Sequence, residues 1–241
     1  MKHRLVVIPT YNEAENIEAL LNSIFDTIYG CEILVIDDCS PDKTAEICER
    51  LRKDHQHLHL MERNEKSGLG SAYRAGFVWA LDREFEEVIE MDADGSHQVA
   101  DLMRMIDVKS RDPQAGLVIG SRWIKGGSTH NWSKAREILS RVANKYVRFA
   151  LGLGIHDATS GFRIYSATTL RKIDFGRIRS EGYSFQIEMT RAAKKTGTKI
   201  IEVPITFKER ESGVSKMSRN IVFEAMFLVT AWGVKRVLRL K

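Results

Sequence analysis

Asp92 and Asp94 flank a single alanine at the end of an apolar stretch, residues 88–91. Two carboxylates two residues apart can grip one hard cation. Mg²⁺ and Mn²⁺ favour oxygen ligands and complete their shells with water and substrate phosphate. The chemistry served by such a pair is the neutralisation of a departing diphosphate. Other apolar stretches also end in charge: Asp37 and Asp38 follow residues 33–36, and Arg122 follows residues 117–119. Any one of these alone reads as a solvated loop residue. Three charged strand ends together point to one shared site.

Other chemistries find less support. Gly68-Leu69-Gly70 has the start of a dinucleotide fingerprint, but Tyr73 stands where the third glycine belongs and residues 62–67 separate the turn from the preceding strand. The glycines serve better to let a helix start close to a neighbouring backbone. No P-loop occurs, which excludes a P-loop NTPase, and with no Gly-x-Ser-x-Gly elbow and no outstanding Cys/His pair covalent nucleophilic catalysis has no support. His55, His57 and His59 alternate on one strand face, where a solvated face is preferred over a metal site. Cys31, Cys39 and Cys48 form no CxxC pair and read as free buried thiols in a reducing compartment. Met103, Met105 and Met226 read as core fillers.

The elements that must position these groups alternate regularly. Residues 5–8, 33–36, 58–61, 88–91 and 117–119 read as strands. Asn12 stands as an N-cap before a helix carrying Ile17, Leu20, Leu21 and Ile24 at i, i+3, i+4, i+7. Helices follow through Ala45, Cys48 and Leu51, over residues 70–83, and through Val99, Leu102, Met103 and Ile106. Such βαβ alternation predicts an α/β fold with a mostly parallel sheet and helices on both faces, where ligands bind beyond the carboxyl ends of the strands. The chain has 241 residues, 37 Lys+Arg against 32 Asp+Glu and a net charge of +5, which suits an anionic partner. The N-terminal apolar stretch stops at Pro9, too short for a signal peptide, and no stretch is apolar enough to span a bilayer.

Several segments match a family, in family order, over nearly the whole chain. They are Ile8-Pro-Thr-Tyr-Asn-Glu-Ala-Glu-Asn16, Val35-Ile-Asp-Asp-Cys-Ser-Pro-Asp-Lys-Thr44, Gly68-Leu-Gly-Ser-Ala-Tyr73, Met91-Asp-Ala-Asp-Gly-Ser-His97, Ile119-Gly-Ser-Arg122, Thr159-Ser-Gly-Phe-Arg163, Glu181-Gly-Tyr-Ser-Phe-Gln186 and Val203-Pro-Ile-Thr-Phe207. The chain resembles the family 2 glycosyltransferases with a GT-A, Rossmann-like fold, and within them the dolichyl (polyprenyl) phosphate mannosyltransferases. Cys39 and Gly95 depart from the family's usual residues without removing a charge.

The resemblance implies roles. Pro9, Tyr11, Glu13, Ile36 and Asp38 hold the nucleoside, with Asp38 reading the base edge and Asp37 the less favoured candidate. Asp92, Ala93, Asp94 and Ser96 lie along the ribose, the diphosphate and an Mg²⁺ or Mn²⁺ ion held by Asp92 and Asp94. Arg210 and Lys216 close over the diphosphate from a loop, and Arg122, Arg136 and Ser140 bind the acceptor phosphate. Arg136 and Ser140 share a face if residues 135–151 form a helix. The implied reaction moves mannose from GDP-mannose to a polyprenyl phosphate with inversion. A glucosyl or N-acetylglucosaminyl transfer from a UDP donor is the alternative, ahead of a silent nucleotide-binding module and a nicotinamide oxidoreductase. Nucleic acid is not an expected partner.

Residues 221–234 are largely apolar, with Phe223, Phe227 and Trp232, interrupted by Glu224 and followed by Lys235, Arg236, Arg239 and Lys241. As a helix this segment rises about 21 Å, short of a bilayer core of about 30 Å. It reads either as a buried helix or oligomer interface, or as an amphipathic helix in the membrane interface. The expected division is a catalytic domain over residues 1–217 and a C-terminal helix over 218–241. The expected location is cytoplasmic, peripheral on the membrane's cytoplasmic face, with or without a membrane-anchoring partner protein.

Overall fold

A computed structural model describes residues 3–209 and 219–238, with residues 219–224 described as helix backbone only. Seven strands form the central sheet in the order β3-β2-β1-β4-β7-β5-β8. They are β1 (Arg4–Thr10), β2 (Cys31–Asp37), β3 (Leu58–Glu62), β4 (Glu87–Glu90), β5 (Ala115–Ser121), β7 (Arg163–Ser166) and β8 (Lys199–Pro204). All pairings are parallel except those of β7, which runs antiparallel to both β4 and β5. A parallel ribbon of β6 (Ser128–His130) and β9 (Thr206–Lys208) lies beside the sheet. The helices are α1 (Ile17–Thr27), α2 (Thr44–Arg52), α3 (Leu69–Asp82), α4 (Val99–Arg111), α5 (Lys134–Leu151), α6 (Ala167–Leu170), α7 (Gly182–Lys195) and α8 (Arg219–Val237). The chain is thus an α/β protein with a mostly parallel sheet, as its alternating pattern predicts.

The strands bury both faces, so their apolar runs are continuous and divide by parity. Leu5, Val7, Leu34, Ile36 and Val88 join Tyr73, Phe77 and Phe185 in one core layer. Val6, Ile8, Ile33, Val35 and Ile89 join Ile17, Leu21, Leu102 and Met105 in the other. Gly76 lets α3 sit close on the sheet: a Cβ there would stand 2.6 Å from Val7 Cγ1.

Several local readings change. Helix α1 starts at Ile17, and Asn12 adopts a left-handed φ of 59° instead of capping it. The reason is the loop between them. The amides of Asn12, Glu13 and Ala14 donate to Ser40 Oγ, Thr44 Oγ1 and Asp42 Oδ2, each at 3.0 Å, so the Ser-Pro-Asp turn holds this loop over the sheet edge. Met105 is core, whereas Met103 and Met226 are about half exposed. Cys31 and Cys48 are buried free thiols, but Cys39 is exposed.

The three histidines do not share one environment. His55 stacks on Phe25 with ring centroids 4.3 Å apart, while His59 Nε2 lies 2.6 Å from Glu32, which also receives His3 at 2.8 Å. Burial opposes ionisation of Glu32, but its bonds to His3 and His59 prevail and hold its carboxyl below the usual 4.5. Its contribution to stability is full above about pH 4.5 and is lost as pH falls through the lowered value. Glu32→Gln should therefore melt below wild type at neutral pH, and the gap should close on acidification. A gap independent of pH in thermal melts would contradict this.

Helix α8 packs on α5 and α7, burying Val229 and setting Gly233 against Ala150. Phe227, Val234 and Val237 remain exposed, so apolar residues lie on both its packed and its open sides and do not form the single stripe of an amphipathic helix. No described helix is long and apolar enough to cross a membrane.

Candidate active site

One pocket opens at the carboxyl ends of β1, β2, β4 and β5, with an internal volume of about 390 Å³. Pro9, Tyr11, Glu13, Asp38, Asp92, Ala93, Asp94, Ser96, Arg122 and Arg136 all line it, bringing together most of the predicted site. Two predicted residues do not line it. Ile36 is fully buried in the α3-side core, because period two along β2 puts its side chain on the same sheet face as Leu34. Ser140 lies one turn along α5 from Arg136, and its carbonyl accepts from Asn144 Nδ2 at 3.1 Å. That face of α5 does turn towards the site, since Asn144 also donates to Thr159 Oγ1 at 3.0 Å. Arg210 and Lys216 lie outside the described residues.

At one end, Asp38 accepts from the amides of Ser67 and Gly68 at 3.0 and 2.9 Å and pairs with Arg63 at 3.0 Å. It fixes the turn that starts α3 while lining the pocket. Asp37 is spent on the loop instead, bonding Thr10 Oγ1 at 2.8 Å and the amide of Ser40 at 2.8 Å. Lys66 Nζ sits 3.5 Å from the Tyr11 ring centroid. The α3 glycines do what close approach requires: a Cβ on Gly70 would stand 2.7 Å from the Ser180 carbonyl, and Gly70 N–H donates to Glu181 at 2.6 Å.

At the centre stands the acid pair. Tyr73, whose presence broke the dinucleotide fingerprint, donates its hydroxyl to Asp92 Oδ1 at 3.2 Å. Burial and the neighbouring acids push that phenol well above its usual range, so it remains a donor. The Asp92 amide donates to His97 Nδ1 at 3.0 Å, and His97 Nε2 lies 3.8 Å from Asp92 Oδ2. Burial lowers the His97 pKa despite the acids around it, so the ring is neutral and positions Asp92. Asp94 Oδ1 accepts from the Ser96 amide at 3.1 Å, and Ser96 Oγ is buried without a partner. Two carboxylates lining one pocket beside an orphaned hydroxyl form an all-oxygen donor set, which fits a hard divalent cation.

At the other end, Arg122 is held by Asp157 through Nε and Nη2, each at 2.7 Å, and by Thr159 at 3.0 Å. Asp157 is braced in turn by Glu202, which accepts its amide at 3.0 Å. Burial pulls the Arg122 pKa down, but Asp157 overrides it and the net shift is upward, so the guanidinium is firmly charged. Its Cζ lies 5.3–5.4 Å from the rings of Trp123, Trp132 and Phe207, and Arg136 stacks over Trp132 at 4.0 Å. Arg136 also pairs with Glu209. Sequence reading missed Lys66, Trp132, Tyr183, Gln186, Phe207 and Glu209 as pocket residues. Tyr183, Gln186 and Phe207 lie inside the segments 181–186 and 203–207, but no residue type there announces its chemistry.

The α/β sheet thus carries an acid pair at a strand end and two arginines, Arg122 and Arg136, in one pocket. Residues 5–174 match the family described as Glycosyl transferase family 2, and the chain belongs to that family. It is 48% identical over 232 residues to the polyprenol monophosphomannose synthase of Mycolicibacterium smegmatis, covering 96% of this chain and 87% of that one. It is 46% identical over 231 residues to the undecaprenyl-phosphate mannosyltransferase of Micrococcus luteus, covering 95% of this chain and 93% of that one. Among solved structures, mannosyltransferase PcManGT from Pyrobaculum calidifontis, in complex with GDP-Man and Mn2+, superposes with a TM-score of 0.62 at 19% identity. That match covers 98% of this chain and 64% of that one, and it speaks to the fold.

Proposed function

We propose that this chain is an inverting GT-A mannosyltransferase that moves mannose from GDP-mannose to a polyprenyl phosphate. The observation that carries the reading is the placement of the acid pair and the buried Arg122 in one pocket, facing a common space. The two mannosyltransferase relatives support the choice of sugar and lipid.

In this reading Pro9, Tyr11, Glu13 and Asp38 hold the nucleoside. Asp92 and Asp94 hold a divalent metal, which when bound supplies positive charge to the diphosphate as it departs. Tyr73 and His97 keep Asp92 in place. Arg122 and Arg136 bind the acceptor's phosphate; Ser140, one turn behind Arg136, supports the same helix face. Arg210 and Lys216 add charge at the diphosphate. A phosphate monoester has a second pKa of about 6, so the acceptor arrives as an anionic nucleophile and needs no general base. The residues instead hold a phosphate oxygen in line behind the anomeric carbon. Direct displacement converts the α-linked donor to a β-linked mannosyl phosphate lipid.

The acceptor lives in a membrane, and α5 links the two environments. Arg136 near its start reaches the pocket, while Ile138, Leu139, Val142 and Phe149 are exposed along it, interleaved with exposed Arg141, Lys145 and Arg148. Such a surface suits the interface of an anionic bilayer. We assign residues 1–217 to the catalytic domain and 218–241 to a C-terminal segment whose described helix, α8, extends this surface. The enzyme would then sit peripherally on the cytoplasmic leaflet, alone or beside an anchoring protein. Thermal-shift measurements with Mn²⁺ and GDP-mannose, UDP-glucose or UDP-N-acetylglucosamine test the donor. GDP-mannose should raise the melting temperature at the lowest concentration; a larger shift with either UDP-sugar would overturn the assignment.

A further inference from the structure

Gln186 has no part in the roles assigned above, yet it lines the pocket. It is 2% exposed, and neither its Nε2 nor its Oε1 has a hydrogen-bond partner in the protein. A buried carboxamide with both ends unmet is rare and unfavourable in a folded chain. It becomes intelligible when a ligand supplies the missing partners.

The surroundings say which ligand. Gln186 stands on α7 between Phe185 and Ile187, both core residues, so its backbone is rigidly placed. Burial pushes the Glu90 carboxyl up to about 8, and the Gln186 carboxamide beside it offsets this only in part, at a geometry short of a full hydrogen bond. Nε2 is 3.6 Å from the point a Cβ on Gly161 would occupy, and Asp92 Oδ2 is 3.6 Å from the same point. Glycine at 161 therefore keeps open the space between the carboxamide and the acid pair. The nucleoside end of the pocket lies towards Asp38 and Tyr11, and the acceptor-phosphate end lies at Arg122 and Arg136. The stretch between, bounded by Asp92, Gly161 and Gln186, is what remains for the transferred sugar. A carboxamide offers two donor hydrogens and an acceptor oxygen, which match hydroxyl groups of a hexose.

We propose that Gln186 binds a hydroxyl of the transferred hexose and is a residue by which the site selects its sugar. This rests on the glycosyl-transfer reading of the pocket. Specificity of this kind is strong, because an analogue lacking the hydroxyl leaves the buried amide unmet.

The test uses the full chain with Mn²⁺, GDP, GDP-mannose and the set of GDP-deoxymannoses, each lacking one hydroxyl. Gln186→Leu should bind GDP within roughly twofold of wild type but lose about 10- to 100-fold in kcat/KM for GDP-mannose. For one deoxy donor, variant and wild type should be equally fast, since the lost contact is shared. If the variant keeps wild-type penalties for every deoxy donor, the assignment is overturned. Should Gln186→Leu not fold, Gln186→Met makes the same comparison with a side chain of similar length and no hydrogen-bonding amide. A wild type that binds a UDP-sugar but not GDP-mannose overturns the donor reading, and the deoxy series of that sugar still decides the role of Gln186.

Discussion

Asp92→Asn and Asp94→Asn should each lower turnover by at least roughly 100- to 1,000-fold, the scale on which one charge-stabilising group acts at a transition state. Asparagine keeps the shape and removes the charge. Tyr73 can still donate to the remaining side-chain oxygen at position 92, and the Asp92 amide still meets His97, so the fold is retained. The variants should melt at or above the wild-type temperature, because two neighbouring acids repel when no cation lies between them. Chelation of wild type should reproduce the loss, and added Mn²⁺ or Mg²⁺ should reverse it. Steady-state rates with melting curves check both halves. Turnover that survives either substitution and chelation would remove the metal from the reaction.

The second large effect belongs to Arg122, where binding and stability are joined. Arg122→Ala leaves Asp157 buried at 0% exposure without its cation, and breaking such a pair costs about 3–5 kcal/mol. That loss alone would obscure any effect on activity. Arg122→Lys keeps the charge but cannot reproduce the fork that holds Asp157 through Nε and Nη2 while presenting the rest of the guanidinium to the pocket. It should fold and bind the donor normally, while kcat/KM for the lipid phosphate falls about 100-fold. Kinetics against each substrate in turn, with urea denaturation as the control, separate the two. A rise confined to the donor KM would move Arg122 from the acceptor to the nucleotide.

The parts of this arrangement legible in the sequence were those with a simple periodic or charge signature. Alternating apolar runs and helical spacings gave the parallel half of the sheet, and the strand-end charges gave Asp38, the acid pair and Arg122. Strand β7 was not legible, because Arg163 hides in its core. That guanidinium is fully buried and bonds Tyr165, Thr190 and the carbonyls of Ser160 and Ala158, a set distributed over the fold and not readable from spacing. Strand β8 begins at Lys199 and is only partly covered until Val203, so it lacks a clear apolar run. Ile36 shows a different limit: a motif locates the backbone, whereas strand parity decides which face a side chain takes, and here that face is the core. Trp132 and Gln186 were missed because indole and carboxamide groups serve equally as core, surface or site, and only their neighbours tell which.

The most direct measurement is the structure of the product. The purified chain is incubated with Mn²⁺, an equimolar mixture of GDP-mannose, UDP-glucose and UDP-N-acetylglucosamine, and a polyprenyl phosphate in liposomes. The glycolipid is then identified by mass and its anomeric centre by one-bond carbon–proton coupling in NMR. In-line attack by the phosphate on GDP-mannose yields a single product, the β-linked mannosyl phosphate lipid. An α-linked product, or one carrying a sugar from a UDP donor, would contradict it.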